Sequence, residues 1–503
     1  MSIALGVSAA AGAECRVDGL RGPAPRDPLA LLLQAERPCP RNAEQLADAL
    51  QRAGARLQPT MVNFAGFHAP GAGAFFFFEI ASTEGERPSG APAIARGDLV
   101  FGHFTEPTAD GRLVSSQGKG LVVEAIAWDP DKGYYNFYEL MGTTWSYRGD
   151  SRDVLEDVAL LHRDRAAGVR PFGGRLRCSG CHTSGGLVQK ELAAPHNDWF
   201  VAGRPLPAGD LRPDAFVRGR IAGVADAGAL AELVEASHRR LAASRGYQRL
   251  LASRSLQERL RPLFCPVELN LESDTEPFDD RVPVVRVPSG FFTDARLAVA
   301  DVRVARAAYD AAQGGLRSRL PKTPGRSDAD HAWLTPVKAR SDAAAVDALV
   351  DQGIVDDELV ADVLAVDFTN PVFSSARCGL LGLVPAESGS GFAKSFQQAL
   401  ALAKAPAASE LLRNLTEPGR TRAFHRQAAS RYLDRCRERA SDPAAVEGWT
   451  RLLAQRRVEV GASEISQNPD GRILEDPGRV VFPETTPRAM PGRLQLTPAC
   501  DVQ

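Results

Sequence analysis

The chain has 503 residues, of which 44% are hydrophobic and 24% charged, and its formal net charge at pH 7 is −2. This composition supports a large packed core and argues against a wholly disordered chain. The near-zero net charge argues against broad electrostatic binding to nucleic acid or to an anionic membrane. No run approaches the roughly 20 apolar residues that a membrane span needs. From the charge and the hydropathy together, we expect neither nucleic acid as a partner nor a membrane span.

The N-terminal stretch MSIALGVSAAAGAEC is apolar and rich in small side chains, and Ala11-Gly12-Ala13 has the A-x-A form of a signal cleavage site. The apolar run is short and no basic segment precedes it. We therefore predict a shortened signal peptide over residues 1–14, with an unstructured apolar tail as the alternative. A signal peptide would send the protein to the periplasm or cell envelope.

Two different patterns follow in the first third of the chain. The stretch RNAEQLADALQRAGARL spaces Leu46, Leu50 and Leu57 as in an amphipathic helix. Residues 59–149 contain aromatic and β-branched runs separated by turn residues, which is typical of antiparallel strands. The segment DPDKG, residues 129–133, lies between two such runs and predicts a hairpin. The next stretch, SRDVLEDVALLHRDRAAG, predicts a helix with Ser151 as its N-cap.

The stretch RLRCSGCHTSGG places Cys178, Cys181 and His182 at C-x-x-C-H spacing. A chain with this many Cys and His contains that pattern by chance on the order of 0.002 times, so the motif indicates a function. In a covalent haem site the two thiols add to the vinyl groups of the porphyrin, and the adjacent His lies beneath the iron.

Two other functions of the motif stay open. A redox dithiol or disulfide needs only the two cysteines, although such motifs usually follow a strand in an alternating βαβ pattern, and the segment before Cys178 predicts helix and loop. A structural zinc site needs four ligands, and the chain has no second pair at metal-binding spacing.

The C-S-G-C-H segment resembles the haem attachment signature of c-type cytochromes. This resemblance implies that Cys178 and Cys181 form the thioethers and that His182 is the proximal iron ligand. It also implies one covalent haem c and electron transfer with a redox partner protein or a small-molecule donor or acceptor. The order of elements, a β-rich region leading into the motif, resembles cytochrome P460, and no further residue is assigned from that likeness.

The second axial ligand of the iron is a separate question. The one methionine after the motif, Met490, lies far along the chain, which makes a Met-ligated small cytochrome an unlikely match. His196, in KELAAPHNDWF, follows the motif closely and is the preferred candidate metal ligand. Three upstream histidines are weaker candidates: His68, His103 and His162. An open iron with no second protein ligand would favour chemistry on a small oxidant or nitrogen compound.

Six cysteines lie outside the motif: Cys15, Cys39, Cys265, Cys378, Cys436 and Cys500. Six cysteines can form three disulfides in fifteen ways. Of these pairings we predict Cys15–Cys39, because both residues lie in one short Pro-rich segment. Disulfides, like covalent haem, fit an exported protein.

Apolar residues spaced three and four apart predict several helices after the motif. The predicted fold class is α+β, with an antiparallel β-rich N-terminal unit followed by a mainly α-helical C-terminal region. The predicted domains are a β-rich haem-binding domain over residues 15–204, a mostly helical domain over 205–460 and an extended Pro-rich tail over 461–503. The predicted function is an exported mono-haem electron carrier, with a haem enzyme as the alternative; no catalytic residue is assigned.

Overall fold

The computed structural model describes much of the chain in several stretches. The described residues are 14–63, 74–81, 94–107, 113–115, 121–156, 178, 182, 184–187, 219, 227–265, 269–272, 283–287, 289–316, 322–323, 326–327, 335–338, 340–371, 374–386, 389, 391–452 and 494–503. The chain divides into two compact units, one formed mainly by the described residues up to Ser151 and the other mainly by those after it. Residues 1–13 of the predicted signal peptide and the predicted domain boundary at residue 204 lie outside the described residues.

The first unit begins with two helices, α1 (Pro28–Ala35) and α2 (Ala43–Arg52). Asp27 caps α1 by accepting a hydrogen bond from the backbone N–H of Ala30, and Asn42 caps α2 in the same way. The amphipathic helix expected to include Leu57 ends earlier than predicted. Gly54 adopts a φ of 86°, a left-handed conformation that ends helices, and the chain then continues as a strand.

A sheet of eight strands forms most of the other described residues of the first unit. The strands are β1 (Val17–Asp18), β2 (Arg56–Asn63), β3 (Ala74–Ala81), β4 (Leu99–Pro107), β5 (Leu113–Ser115), β6 (Leu121–Asp129), β7 (Tyr134–Met141) and β8 (Thr144–Asp150). Their order is β1-β8-β7-β6-β4-β3-β2, with β5 added to β4. The pairings from β3 through β4, β6 and β7 to β8 are antiparallel, and β1 joins β8 in parallel.

The hairpin predicted from the DPDKG segment is confirmed. β6 ends at Asp129, β7 begins at Tyr134, and Gly133 between them adopts a φ of 70°. Strand β7 is buried on both of its faces, so its alternating aromatic residues belong to a strand covered on two sides.

A buried polar network joins α1 to this hairpin. The Asp27 carboxylate accepts a hydrogen bond from the Tyr138 hydroxyl at 2.5 Å and one from the Asn136 amide at 2.7 Å. Asn136 also donates to Asp129 and accepts from the Lys132 ammonium group at 2.9 Å. Burial raises the pKa of Asp27, because desolvation outweighs these hydrogen bonds.

The helix expected from Ser151 onward is present over the described residues 151–156. It already includes Ser151, whose hydroxyl accepts a hydrogen bond from the backbone N–H of Tyr135 at 2.9 Å. The prediction of Ser151 as an N-cap is therefore wrong in its detail: this side chain links the helix to β7.

The second unit is mainly helical. Its helices are α3 (Ala227–Ala243), α4 (Arg245–Ala252), α5 (Leu256–Phe264), α6 (Ser289–Phe292), α7 (Arg306–Leu316), α8 (Arg340–Asp351), α9 (Asp357–Ala365), α10 (Ser375–Gly379), α11 (Phe392–Leu402), α12 (Pro406–Thr416) and α13 (Arg422–Arg439). A 3₁₀ helix, Leu380–Leu383, follows α10, and residues 443–452 are also helical. Its short strands are β9 (Leu269–Glu272), β10 (Val284–Val287), β11 (Val302–Ala305), β12 (Lys322–Thr323), β13 (Arg326–Ser327) and β14 (Thr335–Lys338).

The fold class is α+β, as predicted from the sequence: an antiparallel-rich N-terminal sheet precedes a mostly helical C-terminal region. Among the described residues, no helix is long and apolar enough to cross a membrane.

Three disulfides link the six cysteines outside the C-x-x-C-H motif. They are Cys15–Cys39, Cys265–Cys378 and Cys436–Cys500. The predicted pairing of Cys15 with Cys39 is confirmed. The other two bonds lie in the second unit, where Cys265, Cys436 and Cys500 are fully buried in its core.

Candidate functional site

A backbone hydrogen bond joins the two described residues of the C-x-x-C-H motif, Cys178 and His182. The backbone N–H of His182 donates to the carbonyl oxygen of Cys178 at 2.7 Å, which is the i to i+4 hydrogen bond of an α-helix. This bond brings the backbones of the first cysteine and the histidine together, and the Cys178 side chain is buried.

The ring of His182 has a defined orientation and a defined tautomer. Its Nδ1 lies 2.8 Å from the carbonyl oxygen of Gly186. A carbonyl can only accept, so Nδ1 carries the proton that forms this bond. In the neutral imidazole Nε2 then carries the lone pair, which is the atom that binds a metal. His182 is half-buried.

A compact turn follows the motif and provides the acceptor for this ring. The N–H of Gly185 donates to the His182 carbonyl at 2.7 Å, and the N–H of Gly186 donates to the Ser184 hydroxyl at 3.3 Å. Gly185 adopts a φ of 75°, a conformation that other residues rarely take. The Thr-Ser-Gly-Gly sequence after His182 therefore brings the Gly186 carbonyl back to the imidazole.

A buried histidine, His238 of helix α3, contacts the same turn. Its Nε2 lies 2.9 Å from the carbonyl oxygen of Leu187 and must carry the proton in that bond. The ring is 6% exposed, and burial lowers its pKa to about 4. It is therefore neutral at physiological pH.

His238 is not among the site residues predicted from the sequence, although a signal for it is present. Val234 and Leu241 are buried on α3, and His238 lies four residues after the first and three before the second. That spacing places all three on one helix face. A histidine on an apolar helix face points to a buried imidazole, but the sequence does not show what the ring contacts.

The structure describes only one of the other candidate ligands. Cys181, His196, His68 and His162 lie outside the described residues. His103 lies in strand β4, at a register position between Phe76 of β3 and Val123 of β6. Within the described stretches, no three His, Cys, Asp or Glu side chains group together as a metal-binding set.

Of the groups that a covalent haem requires, the described residues include one thiol, Cys178, and one candidate axial ligand, His182. The porphyrin supplies four nitrogens to the iron, so the protein has to provide one or two axial ligands. His182 offers an imidazole whose Nδ1–H is held by a backbone carbonyl, an arrangement that fixes the ring plane and raises the basicity of Nε2. The backbone hydrogen bond between His182 and Cys178 holds one cysteine of the motif near this histidine.

Comparison with known proteins gives no family model, no curated protein and no solved structure that matches this chain. The interpretation of the site therefore depends on the motif and on the geometry of these residues.

Proposed function

We propose that the chain is an exported mono-haem c-type cytochrome that transfers electrons. In this proposal Cys178 and Cys181 hold the haem by thioether bonds, His182 is the proximal iron ligand and His196 is the second axial ligand. The partner is a redox protein or a small-molecule electron donor or acceptor. Bound haem supplies a one-electron iron couple whose potential depends on its axial ligands and their hydrogen bonds.

One observation carries this proposal: the hydrogen bond from His182 Nδ1–H to the Gly186 carbonyl, next to a C-x-x-C-H sequence. A redox dithiol has no need of an imidazole held in one tautomer by the backbone. An axial ligand does, because this bond directs the lone pair of Nε2 and increases its electron donation. The half-buried position of the ring supports a role beside a large apolar group.

The disulfides support export. Structural disulfides persist in oxidising compartments such as the bacterial periplasm and are rare in the cytosol. The attachment of haem to a C-x-x-C-H motif requires two reduced thiols in the chain, whereas three other cysteine pairs are disulfide-bonded. Disulfide bonds between the other six cysteines fit a chain in which the cysteines of the motif bind the cofactor.

The test is expression of the full chain in a periplasm equipped for c-haem maturation. We expect haem to stay with the chain on a denaturing gel, and the reduced protein to show sharp low-spin bands that carbon monoxide leaves unchanged. A chain without covalent haem would overturn the proposal. Ready binding of carbon monoxide to a high-spin iron would contradict the carrier function and favour the haem enzyme.

Two test variants and one control examine the cysteine pair and the second axial ligand. The Cys178→Ala, Cys181→Ala double variant should lose covalent haem. The matched Cys15→Ala, Cys39→Ala double variant, which removes a disulfide remote in sequence from the motif, should keep it. Separately, His196→Ala should convert the spectrum to high spin and admit carbon monoxide; an unchanged spectrum excludes His196 as the second ligand.

A further inference from the structure

We infer that His238 is a positioning residue for the proposed iron ligand His182, an inference that rests on the proposed function. His238 lies on helix α3, 51 positions from the carbonyl of Leu187 that accepts its Nε2–H at 2.9 Å. No described contact joins His238 to the cysteines of the motif. In the proposed site, His238 does not bind the iron. Its action is on the turn that orients the His182 ring.

Two imidazoles donate to two consecutive carbonyls of one segment. His182 donates to the carbonyl of Gly186, and His238 donates to the carbonyl of Leu187. The two peptide planes meet at the α-carbon of Leu187 and can turn only about its φ and ψ angles. Leu187 is itself buried at 4% exposure, which restrains both angles. Fixing the second carbonyl therefore limits the directions that the first can adopt.

The His238 ring also contacts the turn directly at Gly186. A β-carbon placed on Gly186 would lie 3.4 Å from Nε2 and 3.5 Å from Cε1 of the ring. The imidazole therefore borders the space into which a larger side chain at this position would extend. A single methyl group fits at ordinary contact distance, whereas a branched side chain would displace the ring.

These contacts link a buried histidine to the electronic properties of the ligand. The hydrogen bond from Nδ1–H raises the basicity of Nε2, and a more basic ligand stabilises the oxidised iron. If the Gly186 carbonyl moves away, this donation weakens and the reduced iron is favoured. The inference is that α3, through His238, sets the strength of the proximal bond.

The experiment compares three variants of the full chain. His238→Phe removes the N–H donor and keeps a ring of similar size. His238→Gln keeps an amide N–H that reaches the Leu187 carbonyl. His425→Gln is the matched control, because His425 is another buried histidine of the helical unit whose Nε2 lies 2.9 Å from a different partner, Asp362.

The first measurement is a spectroelectrochemical titration of the haem-loaded chain. At the wild-type midpoint, His238→Phe should raise the ratio of reduced to oxidised protein about tenfold, equivalent to about 59 mV for a one-electron couple. His238→Gln and His425→Gln should stay within about twofold of the wild type. A folded His238→Phe variant with the wild-type midpoint would overturn the inference.

The second measurement does not depend on haem. Solvent exchange of the His182 Nδ1–H proton is followed by NMR in the chain as isolated, with or without haem. The proton should exchange at least tenfold faster in His238→Phe and at the wild-type rate in His425→Gln; equal rates in both would overturn the inference. A chain that lacks haem but shows the faster exchange would overturn the proposed function alone.

A second route tests the contact if His238→Phe does not fold. Gly186→Val places a branched side chain against the His238 ring without removing a polar group, and Gly186→Ala is its matched control. Gly186→Val should reproduce the faster exchange of the His182 proton, and Gly186→Ala should not. Equal exchange in the two variants would contradict a positioning role for the His238 ring.

Discussion

At the scale of single residues, the two histidines near the motif differ in their surroundings. His182 is half-buried and bonded to a carbonyl in its own turn, whereas His238 lies within the packed face of a helix. The depressed pKa of His238 follows first from desolvation of its charged form. Its hydrogen bond to Leu187 and the nearby charge of Asp342 act in the opposite direction but do not outweigh burial.

His238 should make the protein less stable in mild acid. The folded pKa of about 4 lies below the unfolded value of about 6.5, so the unfolded chain takes up the proton first as the pH falls. Between pH 7 and pH 4.5 this group should cost on the order of 2 kcal/mol of unfolding free energy. Urea titrations at both pH values measure the loss, which should be smaller by that amount in His238→Gln. Equal losses of unfolding free energy in the wild type and in His238→Gln would contradict the lowered pKa of His238.

The Tyr138 hydroxyl should contribute strongly to the stability of the first unit. Tyr138→Phe removes the hydrogen bond that a fully buried Asp27 accepts at 2.5 Å. Loss of a bond to a buried acceptor costs about 1–3 kcal/mol, which urea unfolding of the variant measures. Tyr147→Phe is the control, because its half-buried hydroxyl donates to Asn136 at 3.2 Å, and we expect a smaller loss. A larger loss in the control would contradict this ranking.

At the scale of elements, the C-terminal residues are attached to α13 and to the helical residues 443–452. Cys500 is disulfide-bonded to Cys436 of α13, and its carbonyl accepts the indole N–H of Trp449 at 2.9 Å. Leu496 pairs with Val502 in a single β-bridge, and Arg435 donates to the carbonyl of Pro498. The ten described residues of the predicted extended tail thus complete the core of the helical unit.

Removal of residues 494–503 should expose the Trp449 indole. Trp449 is fully buried, and its N–H would lose its acceptor. We expect the tryptophan emission of the truncated chain to move to longer wavelength. The same truncation in a Trp449→Phe background serves as the control and should show a much smaller shift. An unchanged emission after truncation would show that other residues keep the indole covered.

Local patterns in the sequence predict many of these elements, and long-range contacts account for what they miss. The turn at residues 129–133 and the helical spacing on α13 are readable from neighbours in the chain. The prediction that Leu57 lies in the helix is wrong because Gly54 ends α2. This local signal outweighs the leucine spacing. The bond from Tyr138 to Asp27 spans 111 positions, and no pattern of neighbours indicates such a pair.

In the candidate site, too, local patterns indicate some residues and long-range contacts determine others. The motif predicts Cys178, Cys181 and His182 as haem-binding residues from spacing alone, because the chemistry of haem attachment requires that spacing. The contact between His238 and Leu187 depends on how α3 packs against a distant turn, so the sequence does not reveal it. The second axial ligand stays a prediction, since His196 lies outside the described residues.

At the scale of the whole molecule, the longest disulfide loop should contribute most to stability. The Cys265–Cys378 bond joins residues 113 positions apart, and Cys15–Cys39 joins residues 24 apart. In the chain-entropy model a longer closed loop restricts the unfolded chain more. Replacing the first pair by alanines should cost about 5 kcal/mol and the second about 3.5 kcal/mol. Urea unfolding without reductant measures both losses, and the reverse order would contradict the loop-length argument.

The disulfide pattern also has a consequence for how the chain is made. Outside the motif, the disulfide bonds are Cys15–Cys39, Cys265–Cys378 and Cys436–Cys500. Each of these cysteines is therefore bonded to its neighbour among the six in sequence order. No loop encloses or crosses another. A chain that crosses a membrane N-terminus first could thus be oxidised pair by pair, in order of arrival. Native connectivity would then arise without the slow reshuffling that interleaved bonds require.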